Sequence, residues 1–90
     1  MILTRYEVVS DQISCKLEGE VVVLSLTQGI YYGLDHVGTR IWSLLQQPRS
    51  LEELRDILLQ EFNVESEVCE KQLRSFADRL VAAGLIQIQA

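Results

Sequence analysis

The stretch Val21–Leu34, VVVLSLTQGIYYGL, constrains the fold more than any other part of the chain. It combines β-branched and aromatic residues, which suit a pleated, half-buried surface. Gln28-Gly29 interrupts the run with a residue that takes positive φ without steric cost, as a hairpin turn or G1 bulge requires. The segment therefore reads as two strands, Val21–Leu26 and Ile30–Leu34. Upstream, Ile13–Leu17 (ISCKL) alternates apolar and polar in the manner of a strand with one wet face. Glu18-Gly19 supplies the turn between it and the valine run. Three strands in this order form an antiparallel meander, with Val21–Leu26 central and partly covered on both faces. The hairpin is expected to be the last strand pair, leaving Ile30–Leu34 with a free edge. Residues 1–9 are mixed, with Tyr6, Val8 and Val9 hinting at extended structure.

Three strands need a helical layer to be stable, and the rest of the chain provides one. Asp35 is an N-cap candidate for a first helix over Val37–Gln47, whose stripe is Val37, Ile41, Leu44 and Leu45, widened by Trp42. Pro48 stops it. Ser50-Leu51-Glu52-Glu53 has the form of a capping box, opening a second helix that runs to about Phe62. A break at Asn63-Val64 precedes a third helix from about Ser66, read out by Cys69, Leu73, Phe76, Ala77 and Leu80 and ended by Gly84. Leu85–Gln89 alternates again and fits either a short final strand or a packed tail. The fold class is α+β: a small winged helix-turn-helix, with a three-stranded antiparallel sheet over about 13–34 followed by three helices over about 37–83. All 90 residues form one domain.

Composition narrows the function. The formal net charge is −5, against the clustered positive surface that phosphate binding needs. The third helix mixes Glu65, Glu67, Glu70 and Asp78 with Lys71, Arg74 and Arg79, so it carries no basic stripe for a DNA groove. A winged-helix transcriptional regulator is the reading that topology alone would suggest, but fold does not carry function. No apolar run reaches the length of a membrane span, and the N-terminus lacks signal-peptide features, so the chain is expected in the cytoplasm, away from membranes. Cys15 and Cys69 are far apart and unaccompanied by a metal-ligand pattern, and are expected to be reduced packing residues.

Nothing in the sequence reads as a catalytic site, a metal site or a cofactor site. His36 is the single histidine and stands at a helix start, where a capping or solvent role is commoner than catalysis. Cys69 falls on an apolar stripe, where burial leaves a thiol inert. Glu52-Glu53 and Glu65/Glu67 open helices, a position that favours acids through the helix dipole. Recognition of another polypeptide remains. An edge strand offers unpaired backbone groups to an extended peptide, and Tyr31 and Tyr32 offer large amphipathic surface. Tyr32 shares a face with Ile30 and Leu34 and suits packing against the helices equally well. Tyr31 is the better contact candidate. A bare dimerisation module, with edges pairing to each other, is a further reading.

The combination of Gly29–Asp35 (GIYYGLD), Val37–Leu45 (VGTRIWSLL), Pro48–Leu54 (PRSLEEL) and Phe76–Leu85 (FADRLVAAGL) resembles the PqqD-like proteins. It is most similar to the stand-alone members of lasso peptide gene clusters. The resemblance spans about residues 13–86. It implies a RiPP precursor recognition element that is not an enzyme and needs no cofactor. Such a domain binds the leader of a ribosomally made precursor as a strand antiparallel to the third strand, with leader side chains entering a groove against the third helix. Lasso leaders offer a tyrosine, a proline and a leucine for that groove. The implied peptide-binding residues are Gln28, Gly29, Ile30, Tyr31, Tyr32, Gly33 and Leu34 on the edge, and Cys69, Gln72, Leu73 and Phe76 on the helix. The implied partners are the leader, a transglutaminase-like cysteine protease that removes it, and a lasso cyclase. A PqqD-type carrier serving a radical enzyme is the alternative. Where many relatives carry an acid four positions before the helix phenylalanine, this chain has Gln72, so no salt bridge to the peptide is expected there. The acidic balance suits a leader carrying lysine or arginine.

Overall fold

The computed structural model describes residues 4–89. Its elements in chain order are β1 (Arg5–Val8), β2 (Gln12–Leu17), β3 (Glu20–Ser25), β4 (Ile30–Gly33), α1 (His36–Leu44), β5 (Arg49–Ser50), α2 (Leu51–Glu61), α3 (Ser66–Ala82) and β6 (Ile86–Gln89). The expected meander is present as an antiparallel sheet of order β2-β3-β4. Glu18 and Gly19 both have positive φ, 52° and 86°, as the tight turn between β2 and β3 demands. The β3–β4 loop closes with Gly29 at φ 68°, its N–H donating to the Ser25 carbonyl at 2.8 Å.

The hairpin is not the last strand pair. A second antiparallel sheet, β5-β1-β6, joins the first and last strands of the described residues, so Leu85–Gln89 resolves, from Ile86, as a strand rather than a packed tail. β1 pairs Tyr6 with Ile88 on one side and with Arg49 on the other. The two-residue β5 runs directly into α2, too short for a pattern of apolar residues to reveal.

Register decides which side chains meet the helices. Val21, Val23 and Ser25 of β3 point inward and are buried, while Val22 and Leu24 face outward and are half-buried. β2 reverses the expected sidedness. Ile13 pairs with Leu24 and Cys15 with Val22, so the apolar set of β2 lies on the outer face, with Ile13 57% and Leu17 59% exposed. Cys15 is therefore exposed rather than a packing residue, while Cys69 is buried as expected; both thiols are free. A one-residue change of register would have turned the same side chains to the core.

Helix boundaries follow their caps. Asp35 Oδ1 accepts from the Gly38 N–H at 2.8 Å and starts α1. α1 ends at Leu44, short of the expected Gln47, because side chains take over its last carbonyls. Gln46 donates to the Trp42 carbonyl at 3.1 Å and Arg49 to the Leu44 carbonyl at 2.7 Å. The capping box of α2 is complete, with Ser50 N–H donating to Glu53 and Glu53 N–H to Ser50, each at 3.1 Å. The Ser50 backbone donor holds the Glu53 carboxyl below its ordinary range. α3 closes in a Schellman arrangement, Gly84 N–H to Val81 and Leu85 N–H to Leu80. The core between sheets and helices includes Val23, Leu45, Leu54, Leu58, Leu85 and Ile86, each at most 3% exposed. Arg40 clamps Glu61 with two hydrogen bonds of 2.8 and 2.6 Å, tying α1 to the end of α2. Arg55 makes ion pairs with Glu70 and Asp56, tying α2 to α3.

Candidate functional site

The outer edge of β4 has no strand partner among the described residues. Which backbone groups it presents follows from the ladder. The Leu34 N–H donates to the Val21 carbonyl at 2.8 Å, and Tyr32 stands opposite Val23 and Ile30 opposite Ser25. In an antiparallel pair the residues facing the partner strand alternate with those facing away. Ile30, Tyr32 and Leu34 thus direct their N–H and C=O to β3. Tyr31 and Gly33 direct theirs outward.

The end of β4 is set by a residue the sequence reading passed over. Thr39 Oγ1 accepts from the Val21 N–H at 2.9 Å and donates to the Leu34 carbonyl at 3.3 Å, both in buried surroundings. The hydroxyl thus stands between two backbone groups that would otherwise meet directly. It joins the last rung of the β3–β4 ladder to α1.

A groove of about 600 Å³ lies beside this strand end, between the start of α1, the Phe62–Val64 connection and α3. It brings together all four of the expected helix residues, Cys69, Gln72, Leu73 and Phe76. Cys69 and Leu73 are buried and form its floor, Phe76 is half-buried, and Gln72 is exposed at the rim. Burial pushes the Cys69 thiol up, which keeps it protonated and inert. Of the expected strand residues, Tyr31 is 71% exposed and projects to the outer face of the sheet. Tyr32 faces the core side, half-buried, with its hydroxyl donating to Gln28 at 2.7 Å. Ile30 and Gly33 are exposed, whereas the Leu34 side chain is in the core and its N–H and C=O are already bonded to the Val21 carbonyl and the Thr39 hydroxyl. A Cβ on Gly84, just past α3, would lie 4.0 Å from Gln28 Nε2, so the Gln28 side chain before β4 reaches the end of α3.

Two groove residues escaped the sequence reading. Gly38 sits where a Cβ would lie 3.2 Å from two atoms of the Phe76 ring and 3.1 Å from Asp35 Oδ1. Glycine there lets the ring settle against α1, and a glycine in the first turn of a helix was the available signal. Arg79 also lines the groove, its guanidinium carbon 5.7 Å from the Phe76 ring centroid. A larger depression of about 700 Å³ between α2 and α3 is lined largely by charged side chains, among them Arg55 and Glu70, and offers no backbone edge. No cluster among the described residues could hold a metal ion, and no helix among them is long and apolar enough to cross a membrane. The arrangement can hold an extended segment by its backbone and sort its side chains in the groove.

The model of the PqqD family, coenzyme PQQ synthesis protein D, matches residues 20–86. This chain belongs to the PqqD family. Among solved structures it is similar to TbiB1 in complex with the TbiA(beta) leader peptide, at 37% identity and a TM-score of 0.85, covering 93% of this chain and 98% of that one. It also shares its fold with lasso peptide synthetase B1 complexed with the leader peptide, at 18% identity and a TM-score of 0.82, covering 91% and 96%. No protein of curated function matches it in sequence. As a PqqD-family domain it is α+β, with two three-stranded sheets and three helices in the order described.

Proposed function

We propose that this PqqD-family chain is a non-catalytic recognition element for the leader of a lasso precursor peptide. The leader adds as a strand to β4 and is handed to a separate leader-cleaving cysteine protease, and the trimmed product to a cyclase. The observation that carries this reading is the unpaired edge of β4, whose end leads at Asp35 into a groove between α1 and α3 floored by apolar side chains. The leader complex of TbiB1, a 37% identical structure, supports it. Backbone bonds from Tyr31 and Gly33 would give register and tolerance of sequence, and the groove floored by Cys69 and Leu73 would give specificity. A strand of six to eight residues buries on the order of 1,000 Å² in total, at the low end for a specific interface. Tight binding then requires a preformed groove, with the ordering cost falling on the peptide.

The alternation along β4 sharpens the test. Tyr31→Pro removes an outward N–H while leaving the ladder to β3 whole, because proline lacks a donor. Titration of the leader encoded beside this chain should show at least a tenfold loss of affinity, with thermal stability nearly kept. Tyr32→Pro removes an inward donor and should instead lower stability. A folded Tyr31→Pro variant that binds the leader as well as the parent would refute strand addition. The PqqD match also supports a second reading, a peptide carrier serving a radical enzyme. Co-purification of the leader-loaded chain with each candidate enzyme distinguishes them.

A further inference from the structure

The groove beside Phe76 contains a cation, Arg79, that makes no ion pair among the described residues. Arg5, Arg40 and Arg55 each pair with a carboxylate, and Arg49 donates to a backbone carbonyl. Arg79 has no carboxylate within 4 Å among the described residues. Its place in α3 explains this. Neighbours three and four positions away are Phe76, Ser75, Ala82 and Ala83, none of them acidic. Arg74 and Lys71 of the same helix likewise have no carboxylate within 4 Å among the described residues, but they line the depression between α2 and α3 and not this groove. The one carboxylate that lines the same groove, Asp35, has an oxygen committed to the Gly38 N–H. Arg79 is thus held over an aromatic ring, at the lip of a groove, on a chain of net charge −5.

Resting on the strand-addition reading, we infer that Arg79 is a specificity-determining residue that selects peptides carrying an aspartate or glutamate where they pass Phe76. Phe76 fixes one side of the guanidinium and leaves its N–H fork for an incoming carboxylate, the geometry that arginine matches with two hydrogen bonds. The overall acidity of the chain would favour basic peptides at every other point, so this site reverses the general preference locally. The groove therefore reads a charge as well as apolar side chains.

Selection from a displayed library of random peptides of about 12 residues, longer than a typical strand, tests this on the full chain. Parent, Arg79→Gln and Arg79→Glu proteins are each used as bait, and only peptides lost on Tyr31→Pro are kept. The parent should enrich an acidic residue at one fixed position, Arg79→Gln should lose that enrichment, and Arg79→Glu should replace it with lysine or arginine. In a synthetic consensus peptide, changing the acid to its amide should weaken binding roughly 3- to 10-fold for the parent and less than about 2-fold for Arg79→Gln. A purely structural role for Arg79 at the last turn of α3 would lower stability without inverting the preferred charge. Edge-dependent binders with no acidic position, or with one unchanged in Arg79→Gln, overturn the inference and leave strand addition standing. A selection that yields no edge-dependent binder overturns both.

Discussion

Thr39→Val isolates the hydroxyl that locks β4 to the helices. The replacement is nearly isosteric, so packing is kept while two hydrogen bonds go. The valine methyl fills the place of the hydroxyl and keeps the two backbone groups apart, so the Val21 N–H, which donates to Thr39 Oγ1 at 2.9 Å in buried surroundings, is left without a partner. The Leu34 carbonyl loses its donor as well. An orphaned buried donor costs about 1–3 kcal/mol and a lost ordinary hydrogen bond about 1 kcal/mol, so the variant should lose about 2–4 kcal/mol. A domain of this size has a total stability of about 5–13 kcal/mol, so the effect is large. It corresponds to a fall in melting temperature of at least about 8 °C. Thr39→Ser is the control, since it keeps the hydroxyl and removes one methyl, worth about 1 kcal/mol. Urea unfolding of the three proteins should rank them parent, Thr39→Ser, Thr39→Val. A Thr39→Val protein as stable as Thr39→Ser would show that the Thr39 hydroxyl does not hold the β3–β4 ladder to α1.

Further outcomes follow from thiol exposure and from the surface carboxylates. Of the two free cysteines, Cys15 is exposed and Cys69 buried with its thiol pushed up, so a thiol reagent at neutral pH should label one site quickly. Cys15→Ser should abolish that fast phase, and a persistent fast phase would place Cys69 at the surface. Glu61 is held low by its hydrogen bonds from Arg40, and Glu53 by the Ser50 backbone donor. Depressed carboxyls favour the folded state above their unfolded values near 4.5, and that contribution disappears as pH falls through their lower folded values. The urea midpoint should therefore drop between pH 6 and pH 3, and Glu61→Gln should flatten the drop.

Local chemistry made the meander, the helices and their caps legible. Asp35, the Ser50–Glu53 box and Gly84 each act within a few residues, and each does in the structure what its neighbours suggest. The second sheet was hidden because its pairing is non-local: β1 joins β6 across most of the chain, and two-residue β5 has no pattern of its own. Sidedness of β2 was also beyond reach, since alternation reports two faces but not which one the helices cover. On the groove, Cys69, Leu73 and Phe76 could be found from one helical stripe, with Gln72 beside them at the rim. Gly38 and Arg79 depend on where α1 meets α3, which periodicity along either helix leaves open.

The pairing of Arg5 with Gln89 sets the first and last strands of the described residues about 5 Å apart, the spacing of facing residues on neighbouring strands. Both strands belong to the sheet that does not contain β4. A few flexible residues linking Gln89 to Arg5 would suffice to close the described fold into a circle, with new termini cut at an exposed turn such as Glu18-Gly19. By the same geometry, the domain could be spliced as a cassette into a surface loop of a larger enzyme, entering and leaving at one point.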